Sequence, residues 1–307
     1  MAEQRLDPIT SRTNRPGEMD DRSLRQLLRN WVMHVAVKPE TLLPVLLALM
    51  TYAVLVIHFL QEHPNIRISE PNEVLSMSSL AIGLIMGFRT QSSYDRWWEG
   101  RRLWGDLVNK TRNFSIKLCE FVSLSPSDKL RFARLLREFS LSLKDHLRDI
   151  KYDLAAGSLV EHVEPSNHVP LHIASLLHRE TEKMLDNNTI SETKFWLLND
   201  QLSGFVDVVG GCERLKTSPL SAWFRVGIWL WLLFYYLILP LLLSPHFGYW
   251  SIPIVLLAVY FGVALELTVE QLHEPFGREL NDLPLDTITD NIRKSIDQIF
   301  GPGTCPK

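Results

Sequence analysis

Charge is missing where a soluble protein would need it most. Residues 226–265, forty in a row, contain no Asp, Glu, Lys or Arg. A surface helix keeps a polar face and even a core helix keeps a polar edge, so this run points to lipid, although the mean hydropathy of the whole chain is only +0.01. Cysteine is scarce. Cys119, Cys212 and Cys305 are widely scattered and form neither a metal-binding spacing nor a disulfide framework, a usage that fits a reducing cytosolic side. There is no surplus of positive charge: the formal net charge is −3, and no basic patch interleaved with aromatics offsets it, which excludes a nucleic-acid partner. Glycine-rich phosphate loops, nucleophile motifs and zinc motifs are all absent, so neither catalysis nor a cofactor is expected. The N-terminus is no secretory leader, because its first 40 residues lack an apolar core and carry seven Lys or Arg.

Against those absences stand four apolar segments. Residues 41–60 are uncharged and span about 30 Å as a helix, the thickness of a bilayer core. Pro44 falls in the first turn, where its missing N–H is harmless. Residues 226–243 and 250–269 follow the same pattern, the latter continuing past Glu266. Pro245, His246, Phe247, Gly248 and Tyr249 predict a tight connection between them, and hence a helical hairpin with Tyr249 and Trp250 in an aromatic belt.

The fourth segment is short. Residues 74–88 are uncharged but reach only about 22 Å, a length that also suits a buried soluble helix or a re-entrant segment. Charge asymmetry decides between these. Seven Lys or Arg precede residue 41, only Arg67 lies between the first two segments, and Arg89, Arg96, Arg101 and Arg102 follow the second. Arg214, Lys216 and Arg225 precede the third. Positive charge inside therefore predicts four crossings of the cell membrane, at 41–60, 74–95, 226–243 and 250–269. Segments 1–40, 96–225 and 270–307 then lie in the cytoplasm, both termini included.

The 96–225 region reads as a helical body. Leu103, Leu107 and Phe114 mark one apolar stripe, and Leu130, Leu135, Phe139 and Leu143 mark another. Ser125-Pro126-Ser127-Asp128 is a helix start. Gly157 and residues 164–170 read as loop, and Ser191 opens a helix expected to end near Gly210-Gly211. The fold class is all-α, with membrane helices continuous with a cytosolic helical body.

On a helix over 74–98, Ser79, Gly83 and Gly87 fall four residues apart, a small-residue stripe that lets helices approach closely. Beside it run Leu80, Leu84 and Phe88 at the same spacing. Two readings are open from the residues alone. These three are ordinary packing or lipid-facing side chains, or they stack as apolar rings that constrict a pore. One helix encloses nothing, so the second reading demands a cyclic oligomer.

Arg96-Trp97-Trp98-Glu99-Gly100-Arg101-Arg102-Leu103-Trp104, preceded by Gly87-Phe88-Arg89-Thr90, closely resembles the signature of the bestrophin family in its bacterial and plant branch. Further resemblance lies at Gly211-Cys212-Glu213-Arg214 with Pro219, at Glu274-Pro275-Phe276-Gly277 and at Asn281-Asp282-Leu283-Pro284. The resemblance implies a homopentameric channel for monovalent ions, with four membrane helices per subunit and a cytosolic vestibule; its partners are further copies of itself, the bilayer and the permeant ion. It also implies a pore neck of Leu80, Leu84 and Phe88, and an apolar aperture on the helix that begins near Ser191, placed at Leu198. Animal members bind calcium near a Pro-Phe-Gly followed by a run of acids. Here Arg278, Glu279, Leu280, Asn281 and Asp282 follow instead, which removes most of the oxygens such a site requires. The resemblance favours anions, whereas Glu70 and Glu73 at the expected outer mouth favour cations. A membrane scaffold or receptor that conducts nothing is the other reading; a secondary transporter is disfavoured by the lack of internal repeats.

His162, His168, His172 and His178 read as a solvated loop rather than metal ligands. Glu266, Glu270 and Glu274 repeat at four-residue spacing and are expected to pair with Arg89 or Arg96. Tyr94, Trp97, Trp98 and Trp104 are expected to pack the junction of membrane and cytosol.

Overall fold

The computed structural model describes residues 39–63, 72–151, 168–218, 222–279 and 281–301. Every regular element among them is helical: α1 (Pro39–Glu62), α2 (Asn72–Phe121), α3 (Pro126–Leu147), α4 (Val169–Asp186), α5 (Glu192–Thr217), α6 (Ala222–Phe247), a 3-10 turn (Gly248–Trp250), α7 (Ser251–His273) and α8 (Leu285–Ile299). Residues 74–88 are no separate segment. They open α2, a continuous helix of 50 residues, about 75 Å long at 1.5 Å per residue.

α2 passes through two cores. The first joins Ala53 and Ile57 of α1, Met86 of α2, Leu232 and Tyr236 of α6, and Val255, Val259 and Val263 of α7. The outside of this bundle is apolar as well: Leu55, Phe59, Leu230, Phe234, Leu257 and Phe261 are each more than half exposed. In the most apolar 18 residues of Leu43–Glu62 and of Trp223–His273, only 17% and 33% are buried. Core helices of a soluble protein would be mostly covered, so this exterior is built for a bilayer.

The second core gathers Trp104, Leu107, Phe114 and Leu118 from α2 with Phe132, Leu135, Phe139 and Leu143 from α3. Ile173 and Leu177 of α4, Phe205 and Val208 of α5, and Ile292 and Ile296 of α8 complete it. The Phe139 and Phe205 rings stack 5.2 Å apart. Each such side chain contributes about 1.5–3 kcal/mol by leaving water. Leu130, placed by its spacing on this stripe, is instead half exposed. It sits just past the first turn of α3, one position off the buried line.

Local signals explain most boundaries. Ser125 caps α3 by accepting from the Asp128 N–H at 3.1 Å, and Pro126 occupies the first turn. The expected end of α5 near Gly210-Gly211 is wrong, since the helix runs on to Thr217. Gly211 serves a close approach rather than a stop: a Cβ there would lie 2.7 Å from Leu103 Cδ2 of α2. The hairpin connection is shorter than expected too. α6 runs through Pro240 and Pro245, and the chain reverses over Gly248–Trp250 with Gly248 at φ +52, a backbone that glycine adopts without steric cost. Cys119 is disulfide-bonded and Cys212 is a buried free thiol, against the expectation of unpaired cysteines; Cys305 lies outside the described residues. Distance along the chain does not reveal which sulfurs the fold brings together.

The adjacent glycines give a direct test of this packing. A Cβ at Gly210 meets nothing within 4 Å, so Gly210→Ala should leave stability unchanged or raise it by up to about 1 kcal/mol. Gly211→Val should cost about 1–3 kcal/mol through overpacking against Leu103. Thermal unfolding of both variants in detergent measures the difference, and equal melting temperatures would contradict the close-approach reading.

Candidate conduction pathway

One face of α2 is uncovered along most of its length. At 3.6 residues per turn, positions 77, 80, 84, 88, 91, 95, 98, 102, 106, 109, 113 and 116 stay within about 40° of a single line. All of them are exposed in the subunit. The opposite face, with Met86, Arg89, Ser93, Trp104, Leu107 and Phe114, is buried. The uncovered face begins apolar, with Met77, Leu80, Leu84 and Phe88 at 73%, 75%, 57% and 68% exposure. It then turns polar through Gln91, Asp95, Arg102, Asp106, Asn109 and Asn113, interrupted by Trp98, and becomes apolar again at Ile116. Near that end Lys117 donates to the Leu197 carbonyl at 3.3 Å, and Trp196 and Leu197 are exposed. Leu198 is not. Its side chain is fully buried in the core of the body, so it cannot line an aperture, because α5 turns that position inward by 100°.

The small-residue stripe divides. Ser79 Oγ lies 3.0 Å from the Tyr235 hydroxyl, whereas Cβ atoms added at Gly83 and Gly87 would meet nothing within 4 Å in the subunit. Glu73 is exposed in the first turn of α2; Glu70 lies outside the described residues.

Several contacts fix the rotation of α2 just past Phe88. Arg89 forms a buried ion pair with Glu266 of α7, the side chains being 6% and 0% exposed. Burial of two charges is tolerated because each supplies the other's partner. Arg96 closes two helix ends at once. Its guanidinium donates to the Leu215 carbonyl at 2.6 Å and the Ser218 carbonyl at 2.8 Å at the end of α5, and to the His273 carbonyl at 3.1 Å at the end of α7. Terminal carbonyls have no partner within their own helix, and a cation there also meets the negative end of the helix dipole. Arg96 therefore pairs with carbonyls, not with the acids of α7. Glu270 faces Arg225 at 3.8 Å instead.

The rest of the Arg-Trp-Trp-Glu element points to the same junction. Trp97 Nε1 donates to the Asn281 carbonyl at 3.0 Å, and Arg214 donates to Glu99 at 2.5 Å. Tyr94 stacks with Trp97 and Trp98 at 6.3 and 6.4 Å, while Trp104 is fully buried deeper in the body. At Gly100 a Cβ would be 3.2 Å from both Phe276 and Leu283, so the glycine lets the Pro-Phe-Gly loop close on α2.

That loop uses its own oxygens. Asp282 accepts from the Glu279 N–H at 2.6 Å, and the Pro275 carbonyl accepts from Leu283 at 2.9 Å. The Phe276 carbonyl accepts from Arg148 at 3.3 Å, and the Asn281 amide donates to Gln271 at 2.5 Å. A calcium ion needs six or more free oxygens, and several of the oxygens here already accept from protein donors. Arg148 and Lys144 also hold Asp286, at 2.8 and 2.9 Å. Their hydrogen bonds and positive charge lower its carboxyl to about 2.

Residues 18–298 match the family described as Bacterial/Fungal Bestrophin protein. The chain belongs to that bestrophin family. Bestrophins are ion channels and not enzymes. Among relatives of this bestrophin is a voltage-dependent anion channel-forming protein of Nostoc sp., 30% identical over 76% of this chain and 80% of that protein. Another, of Escherichia coli K12 and similarly named, is 28% identical over 83% and 85%. A bacterial bestrophin homologue from Klebsiella pneumoniae, solved by crystallography, superposes with a TM-score of 0.77 at 25% identity, covering 83% of this chain and 97% of that one.

Sequence reasoning missed the polar continuation of the α2 face. The signal was available, since Gln91, Asp95, Arg102 and Asp106 keep the Leu80–Leu84–Phe88 phase. It also missed the grouping of His168 with His146 and Glu213, which come from different helices and share no local pattern.

Two variants test these anchors. Glu266→Gln should destabilise the subunit by about 3–5 kcal/mol by leaving Arg89 buried without its counter-ion, while replacing both residues with Met should restore most of the loss; thermal unfolding in detergent reports both. For Asp286 the folded pKa is depressed. Its contribution is therefore complete above the unfolded value of 3.8 and is lost as pH falls towards about 2. Asp286→Asn should flatten stability against pH below about 4 and leave the curve above that range parallel to wild type.

Proposed function

We propose that this bestrophin is a homopentameric channel conducting monovalent ions passively across the cell membrane, with a preference for anions. The uncovered face of α2 carries the reading. A 50-residue helix with one face buried throughout and the other bare has its partners elsewhere, and in a ring of copies that face lines the axis. Leu80, Leu84 and Phe88 then stack into the neck, an apolar constriction that resists wetting. Gly83 and Gly87, open on the flank of the same helix, let neighbouring copies of α2 pack closely.

The crossings are residues 41–60, 74–95, 226–243 and 250–269, with both termini in the cytoplasm. Below the neck, the polar stretch from Gln91 to Asn113 lines a water-filled vestibule. The far aperture falls at Trp196 and Leu197, the exposed neighbours of Leu198. The anion preference rests on the names of the relatives from Nostoc and E. coli. Glu73, Asp95 and Asp106 on the exposed face pull towards cations, and Arg102 opposes them. No calcium requirement is expected, because no run of acids follows the Pro-Phe-Gly loop and several of its oxygens already accept from protein donors.

Liposomes holding the purified protein under a salt gradient test both parts. Changing Leu80, Leu84 and Phe88 together to Ala should raise ion flux about tenfold for each 1.4 kcal/mol removed from the barrier. Subunit stability should hardly change, since all three are exposed. A reversal potential on the anion side is expected. No flux in either form would favour the non-conducting scaffold, and a reversal potential on the cation side would overturn the selectivity.

A further inference from the structure

We propose that His146, His168 and Glu213 form a binding site for a divalent transition-metal ion of the zinc class, one per subunit. The three ligand atoms all lie within 4.8 Å of one another. His146 Nε2 is 2.8 Å from Glu213 Oε1, and His168 Nε2 meets the same oxygen. The two imidazoles are 4.3 Å apart between centroids and tilted by 46°, so they converge without stacking face to face. A tetrahedral zinc ion with bonds of about 2.0–2.1 Å holds its ligand atoms roughly 3.4 Å apart. The site needs only a small opening, well within rotamer adjustment, to admit the ion.

The scaffold supports this geometry. His146 lies in the last turn of α3, His168 is the N-cap of α4, and Glu213 stands on α5 near its end. None of the three is more than about one-third exposed at its side chain, a setting between the open surface, where acids gather without an ion, and the apolar core. Two imidazoles and one carboxylate are the donors that zinc shares with cobalt and nickel, and they supply too few oxygens for calcium or magnesium. Cys212, next to Glu213, adds no ligand: it is buried, and its thiol is pushed up to about 12. Three protein ligands leave the fourth position to water.

The arrangement without metal makes a specific demand. Both rings now donate Nε2–H to Glu213, and His168 Nδ1 accepts from the Leu171 N–H at 3.3 Å, which caps α4. An ion on Nε2 requires a lone pair there, so the ring proton moves to Nδ1. His168 can then no longer accept from Leu171. Metal binding should therefore fasten α3, α4 and α5 together while releasing one amide in the first turn of α4. It would also stiffen the end of α5, where Arg96 takes the Leu215 and Ser218 carbonyls.

The experiment uses the full-length, tag-free protein in detergent, stripped with a chelator and titrated with zinc chloride alone by calorimetry. The titration is repeated with cobalt, whose visible spectrum reports tetrahedral nitrogen and oxygen ligation. The expected results are one ion per subunit, affinity lowered at least about tenfold in His146→Ala and Glu213→Gln, and unchanged affinity in the control His172→Ala. Hydrogen exchange at the Leu171 amide should speed up on zinc addition while the rest of α4 is protected. Glu213→Gln keeps a hydrogen-bond acceptor, so it separates ligand loss from misfolding should His146→Ala unfold. Equal affinity in Glu213→Gln and His172→Ala would mean an adventitious ion only. Absence of binding, or zinc binding with the Leu171 amide unchanged, would overturn the proposal.

Discussion

The ion pair between Arg89 and Glu266 sets the rotation of α2, and everything functional on that helix depends on its rotation. A helix that packs on one side turns by 100° per residue. A shift of one position would carry Leu84 from the bare face towards the bundle and bring a different side chain outward. Arg89 follows Phe88 directly and is buried against α7, which prevents such a shift by a large electrostatic penalty. Seven residues on, Arg96 pins the same helix to the ends of α5 and α7. Between them these two arginines hold the boundary between the apolar bundle and the helical body.

The two cores also divide the labour. In the bundle, branched aliphatic side chains of α1, α6 and α7 pack inward, and leucines and phenylalanines cover the outside. The body follows the ordinary soluble pattern, with aromatic and aliphatic side chains inside and charge outside. α2 belongs to both as one continuous helix, so a movement of the body would carry along the proposed neck. Gly100, Gly204 and Gly211 lie where the body closes on α2 or receives its side chains. Those close contacts make the junction stiff.

Much of this was legible from residue spacing. Apolar runs located α1, α6 and α7. The Leu80, Leu84 and Phe88 line came from a four-residue spacing that any helix would respect. What failed depended on contacts distant in sequence. Leu198 and Leu197 differ by one position in a helix, and only the packing of α5 against α2 tells which faces the core. Gly210-Gly211 looked like a stop because a local rule cannot see Leu103. His168 looked solvated because its partners, His146 and Glu213, arrive from α3 and α5. The Arg89–Glu266 pair was among the expected ones, since an acid near the end of a span needs a cation and few are near.

The bare face of α2 is proposed to line the conducting axis. A single cysteine at Leu84, probed during current recording with a charged thiol reagent that cannot cross the membrane, tests it most directly. Cys212 is buried and Cys119 is bonded, so the background reactivity should be low. Current through the Leu84→Cys channel should change sharply on modification, while a cysteine at Leu55, exposed on the outside of the bundle, should give no change. A Leu84→Cys channel that reacts with no effect on current, or conducts without ever reacting, would contradict the account.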